Sequence, residues 1–192
     1  KKIMLDSGLF QGHRDESAKK NREFCIDPKE VDAVILSHAH IDHSGGLPFL
    51  VKNGFDGPIY STFATRDLCN YMLLDSAYIQ EKDAEYMNKK LKKKGEPLIE
   101  PLYTTDDAVK TLEQFYGVSY EKAFVVTDGV ICSFYDAGHI LGSALIHLVI
   151  HDKETDERYT LAFTGDLGRK NLPILRDPQD LPPTDYLITE ST

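Results

Sequence analysis

Short apolar, β-branched runs recur along the chain, and several stop abruptly at a polar side chain. Ile3-Met-Leu5 runs into Asp6, and Val31-Asp-Ala-Val-Ile-Leu36 runs into His38. Val130 to Tyr135 leads through Asp136-Ala-Gly to His139; Tyr159 to Thr164 leads to Asp166, and Tyr186 to Thr189 ends at Glu190. Runs of this kind read as buried strands. Because they are nearly continuous in apolar residues, they imply a sheet covered on both faces. Strands sharing one sheet would bring their terminal polar residues to one rim, where such folds place ligands.

Between the strands, Leu47-Pro-Phe-Leu-Val-Lys-Asn-Gly54 predicts a short helix with Pro48 in its first turn and Gly54 as its stop. Ile59-Tyr-Ser predicts a further strand. A long helical stretch is expected from about 65 to 94, broken near Asp75-Ser76, with Leu68, Met72, Tyr78, Ile79, Tyr86 and Leu91 as candidate buried positions. A second helix is expected from about 106 to 115, and a strand over 144–151 that turns at the charged 152–157 hairpin. There is no internal repeat. The Pro-rich stretch 176–184 is too short to divide domains.

At 192 residues the chain can bury one good core, which makes a single domain the default. No run approaches the ~18 apolar residues of a membrane span, and no signal segment opens the chain. Lys1 to Asp6 begins in the middle of a strand pattern without an initiator methionine, so an internal piece of a larger protein is expected. Cys25, Cys69 and Cys132 are widely separated, which argues against a disulfide framework or a thiolate zinc site and suits a reducing, cytoplasmic compartment. The net charge of −9 repels a polyanion in bulk, so nucleic-acid binding would need local positive charge or metal ions. Lys89, Lys90, Lys92, Lys93 and Lys94 supply one cationic cluster. It reads first as a solvated helix C-terminus, where cations are favoured, and second as a patch that meets phosphates. His147 and His151 read as structural, and His13 as surface.

The densest chemistry lies in Ser37-His-Ala-His-Ile-Asp-His-Ser-Gly45-Gly46, where His38, His40, Asp42 and His43 fall within six positions. On extended backbone His38 and His40 point to one side. Asp42 and His43 then fall in a turn that Gly45 and Gly46 allow to bend sharply. A lone histidine is usually a surface or satisfied core residue, but nothing structural requires four metal-binding side chain types beside an apolar strand. They offer more nitrogen and oxygen than one tetrahedral ion needs, which reads as one end of a two-metal site. Gly138-His139 and Gly165-Asp166 present two further donors beside glycines; each is weak alone and strong in company.

Ser37 to Gly45, Gly138-His139 and Gly165-Asp166 resemble the signature of the metallo-β-lactamase superfamily. Leu5-Asp-Ser-Gly-Leu-Phe-Gln-Gly12, Ala137-Gly-His-Ile-Leu-Gly-Ser143, Gly165-Asp-Leu-Gly-Arg169, the helical stretch 64–77 and the closing Thr189-Glu-Ser-Thr192 are similar to its β-CASP nuclease branch. Within that branch they resemble bacterial and archaeal relatives of the mRNA 3′-end processing endonuclease. The resemblance implies an α/β (α+β) fold, an αββα sandwich truncated at both ends, with a helical insert between the histidine loop and the second half. It implies two Zn2+ ions (Mn2+ or Fe as alternatives). His38, His40 and His139 would bind one ion, Asp42 and His43 the other, with Asp166 between them. Asp6 and Ser143 would support these ligands, Asp42 and Asp166 would orient the attacking water, and Glu190 would orient a distant histidine acting as general acid. The implied substrate is RNA, less often single-stranded DNA, with no membrane partner and a homodimer as an open assembly. In the family a β-CASP domain and a last ligand histidine follow, and neither is in this span. The piece is therefore expected to bind one metal well and the second poorly, and to cleave RNA slowly or not at all. A thioesterase of the glyoxalase II type and a non-catalytic scaffold of an RNA-processing complex are the alternatives. The Lys-rich insert and the Glu-Ser-Thr end favour the nuclease over the first. The retained ligands favour it over the second.

Overall fold

The computed structural model describes residues 1–191 and, within them, all side chains but those of Arg14 and Asp15. Thr192, the last residue of the closing motif, lies outside the described residues. The apolar runs form two sheets, as the expected sandwich requires. In the first, β1 (Ile3–Leu5), β2 (Ala33–Ile35), β3 (Ile59–Thr62) and β4 (Phe115–Val118) lie side by side in that order, all parallel. The second takes β5 (Phe124–Thr127), β6 (Val130–Asp136), β7 (Ala144–Asp152), β8 (Glu157–Phe163) and β9 (Tyr186–Ile188), antiparallel except for the parallel β8–β9 pair.

Parallel neighbours need crossovers, and the helices supply them. The helices are α1 (Arg14–Lys20), α2 (Ile41–Ser44), α3 (Leu47–Lys52), α4 (Phe63–Lys94) and α5 (Thr105–Leu112). β2 shows why the apolar pattern alone does not tell one sheet from two. Val34 enters the core between helices and the first sheet, with Leu50, Cys69, Leu73 and Tyr103. Its neighbours Ala33 and Ile35 enter the core between the two sheets, with Cys132, Phe134 and Ile146. A strand buried on both faces reads the same whether a helix or a second sheet covers it. The described residues therefore stack as helices, sheet and sheet.

The long helix is one uninterrupted element of 32 residues. Thr62 caps its start by accepting the Thr65 N–H, and Gly95 ends it in the left-handed region at φ 69°. The break expected at Asp75-Ser76 does not occur. Ser76 Oγ is engaged with the Tyr103 hydroxyl at 2.8 Å instead of competing for the helix backbone. The buried face is Thr65, Cys69, Leu73, Ala77 and Ala84. Leu68 and Met72 pack at its margin, but Tyr78, Ile79 and Tyr86 are 51–59% exposed, against expectation. Small residues let α4 lie close on the core, which leaves the larger rings outside. α5 stops at Leu112 because Phe115 turns into β4, and a capping box of Thr104 and Asp107 fixes its start. Among the described residues no helix is long and apolar enough to cross a membrane.

Candidate metal centre

Strand direction gathers the site. β1 and β2 run parallel, and in the second sheet β6, β8 and β9 share one direction. Each ends in a candidate residue: Asp6 follows β1, Ser37 to His43 follow β2, His139 follows β6, Asp166 follows β8 and Glu190 follows β9. The Ala144 N–H donates to the Ser37 carbonyl at 2.9 Å and fastens the two sheets together at this rim. Asp42 and His43 lie in the short helix α2 rather than in a turn. That helix presses on the chain after β1 so closely that a Cβ on Gly8 would sit 1.5 Å from the Asp42 carbonyl oxygen.

Asp6 organises the histidine loop from beneath. It adopts φ 59°, a strained conformation for a residue with a side chain. Its Oδ1 accepts the Ser37 N–H and its Oδ2 the Ser37 hydroxyl, both at 2.7 Å, and Oδ2 also accepts from His43 Nδ1 at 2.7 Å. With its hydroxyl proton given to Asp6, Ser37 Oγ can only accept from His38 Nδ1, at 3.0 Å. Both Nδ1 atoms thereby carry a proton, and each ring turns its Nε2 toward the hollow.

Four residues meet in that hollow. Ligand atoms of His38, His40, His139 and Asp166 all lie within 4.8 Å of one another, a group able to hold a metal ion. His40 Nδ1 is 3.0 Å from His38 Nε2 and 3.2 Å from His139 Nε2. Ligands about 2.0–2.1 Å from a tetrahedral ion lie roughly 3.3 Å apart. The separations fit a divalent cation, and the nitrogen-carboxylate set suits one. Burial, then the neighbouring His43, His40 and His139, hold the His38 pKa down at about 2, so the ring is neutral and can donate its lone pair. Burial, followed by His139, also lowers His40.

Asp166 reaches in two directions. Its Oδ2 lies 3.4 Å from His139 Nε2 and 3.8 Å from His38 Nε2, while its Oδ1 lies 3.0 Å from His43 Nε2. With His38 neutral, the longer contact is no ion pair. Burial lowers the His43 pKa, but the bond and charge of Asp6 with the charges of Asp166 and Asp42 outweigh it, and the pKa rises. Asp42 is exposed in the first turn of α2 and stands outside the four-residue group.

Residues 1–162 match the description Metallo-beta-lactamase superfamily domain. The chain belongs to the metallo-β-lactamase superfamily. It is similar to "Ribonuclease TTHA0252" of Thermus thermophilus, 33% identical over all of this chain and 38% of that protein. It is also similar to "Transcription termination factor FttA" of Methanococcus maripaludis, 33% identical over all of this chain and 28% of that one. A HARLDQ-motif mutant of a Cronobacter sakazakii metallo-β-lactamase is 17% identical, with a TM-score of 0.49 over 90% of this chain and 55% of that one. The chain thus spans well under half the length of the two relatives matched by sequence.

The remaining site positions of this superfamily member act on loops. Ser143 Oγ accepts the N–H groups of His139 and Ile140 at 3.1 and 3.2 Å. Glu190 Oε1 accepts the Leu167 N–H at 2.6 Å, next to Asp166. Ser37 and Tyr120 were not singled out in the sequence. Ser37 follows from its place before the first histidine. Tyr120, whose hydroxyl donates to the Ser143 carbonyl at 2.9 Å, has no local signal because it arrives from 23 positions away. His13 is exposed beside α1 as expected, and His151 pairs with Asp156 at 2.8 Å beside the hairpin.

Proposed function

We propose that this chain is the metallo-β-lactamase part of a metal-dependent ribonuclease of the β-CASP type, hydrolysing phosphodiester bonds in RNA in the cytoplasm. The observation that carries the reading is the divided Asp166 carboxylate, one oxygen toward His38 and His139 and the other toward His43. That arrangement suits a dinuclear zinc centre, with His38, His40 and His139 on one ion and Asp42 and His43 on the other. Bound there, divalent ions supply Lewis acidity, lowering the pKa of water and offsetting charge on phosphate oxygens. They also supply the positive charge that a chain of net −9 lacks.

In this reading the protein's own groups orient and hold. Neutral His38 offers Nε2, Asp6 fixes the His43 ring, Asp42 and Asp166 orient the attacking water, and Glu190 steadies the Asp166 loop. The names of the relatives support RNA as the substrate class, and the activity belongs to a protein longer than this span. The test compares labelled single-stranded RNA with a glutathione thioester, using full-length protein loaded with zinc. Metal-dependent RNA cleavage that is lost in His40→Ala and Asp166→Ala is expected. Thioester hydrolysis alone, or wild-type RNA cleavage by either variant, would overturn the reading.

A further inference from the structure

The solvent face of α4 carries rings and cations that neither the core nor the metal centre uses. Tyr71, Tyr78 and Tyr86 are 74%, 55% and 59% exposed. At 3.6 residues per turn Tyr71 and Tyr78 lie about 20° apart on the helix, with Tyr86 about 60° from Tyr71 on the side away from Tyr78. Lys82 Nζ stands 5.6 Å from the Tyr78 ring centroid and Lys90 Nζ 4.3 Å from that of Tyr86. Tyr78 and Tyr86 thus each have an ammonium near the ring, Lys82 being paired as well with Glu85 at 3.1 Å. Beyond Tyr86 come the five lysines of positions 89–94, with no acidic residue from 86 to 95. Among the described residues Lys89, Lys92, Lys93 and Lys94 form no ion pair. This is a concentrated cationic surface on an acidic chain.

The same helix begins at the candidate metal centre. Thr62 Oγ1 and Thr65 Oγ1 both donate to the Gly142 carbonyl, at 2.7 and 2.8 Å, in the loop that carries His139. There Phe63, 48% exposed, has the Arg66 guanidinium 5.4 Å from its ring centroid. From this pair to the lysines α4 rises about 35–47 Å at 1.5 Å per residue. A ligand leaving the lysines would meet Tyr86 and Tyr78, with Lys82 paired to Glu85 at 3.1 Å, then pass Asp75 and Tyr71 before reaching Phe63 and Arg66 beside the histidine loop.

We propose that the exposed Tyr–Lys face of α4 binds a single-stranded stretch of the RNA substrate outside the metal centre, an inference that rests on the nuclease reading above. Exposed rings leading into unpaired lysines suit an unpaired strand: bases stack on tyrosine, and lysine neutralises phosphate. A protein partner with an acidic face would need no open rings. An anionic membrane would need aliphatic side chains to bury beside the rings, and among the described residues Ile79 is the one large aliphatic side chain exposed on α4.

Fluorescence anisotropy of a labelled oligouridine, measured on the full-length protein across a salt titration, tests this. Tyr78→Ala with Tyr86→Ala is expected to weaken binding by about 5- to 150-fold for each ring that stacks. Tyr78→Phe with Tyr86→Phe is expected to retain it. Lys89→Ala, Lys90→Ala and Lys93→Ala together are expected to flatten the slope of log K against log salt by about 2. Unchanged affinity and slope in the alanine variants overturn the proposal. So does loss of binding to phosphatidylglycerol vesicles with oligouridine binding intact. Hydrolysis of bis(p-nitrophenyl) phosphate by the wild type reads the metal centre separately. Its absence would sink the nuclease reading and leave the binding result standing.

Discussion

Asp6 Oδ2 and His43 Nδ1 meet at 2.7 Å across 37 positions of sequence. The contact joins the end of β1 to the helix that follows β2, and it turns His43 so that Nε2 faces Asp166 at 3.0 Å. A carboxylate outside the four-residue group therefore decides which His43 nitrogen faces Asp166. It is also a strained residue at φ 59°, held in place by the loop it supports.

Asp6→Asn isolates that role. Asparagine tolerates positive φ, so the backbone is kept while the charge that favours the His43 orientation is lost. Zinc affinity is expected to fall by about 10–100-fold, measured by chelator competition with the fold monitored by circular dichroism. Affinity equal to wild type would remove Asp6 from the support of the centre.

Gly8→Ala tests the close approach between the two loops. Its Cβ would fall 1.5 Å from the Asp42 carbonyl oxygen and 2.1 Å from the carbonyl carbon, so backbone has to move. A loss of about 1–3 kcal/mol in urea unfolding is expected, together with weaker zinc binding because α2 carries Asp42 and His43. Full stability would mean that the loops separate at little cost.

Much of the candidate centre was legible because the residues that meet there follow apolar runs. The run before His38 and the spacing to His40 and His43 marked both strand and site. Asp6, His139 and Asp166 followed the same rule at other strand ends. What the sequence hid has two physical origins. β4 and β5 are short, with Tyr116 and Val125 exposed, so neither carries a clear alternation. The face of α4 was misjudged because the buried stripe uses Thr65, Cys69 and Ala77, whose modest apolarity is outweighed by tyrosines that in fact lie in solvent. Ring size signals burial poorly where a helix must approach its neighbours closely.

Phe134→Ala probes the seam between the sheets, where Phe134 is fully buried and its ring lies 5.4 Å from that of Phe124. The cavity it leaves is expected to cost about 3–5 kcal/mol. Truncating the exposed Tyr78 is expected to change stability by less than about 0.5 kcal/mol. Urea titration of both variants checks the contrast. A small effect at Phe134 would mean that the sheets close over the gap.

Ser143→Ala separates support of one ligand from support of the whole site. The buried Ser143 oxygen is the acceptor for the N–H groups of both His139 and Ile140. Removing it leaves two donors without a partner in a loop already bent through Gly138 and Gly142 at positive φ. The penalty, about 1–3 kcal/mol, should fall mostly on that loop, since the Asp6, Ser37 and His38 contacts do not involve it. Faster hydrogen exchange at the His139 and Ile140 amides is therefore expected, with weakened zinc binding and an unchanged His43 environment by NMR. If exchange stays slow and affinity is retained, the loop is held instead by Tyr120 on the Ser143 carbonyl and by Thr62 and Thr65 on the Gly142 carbonyl.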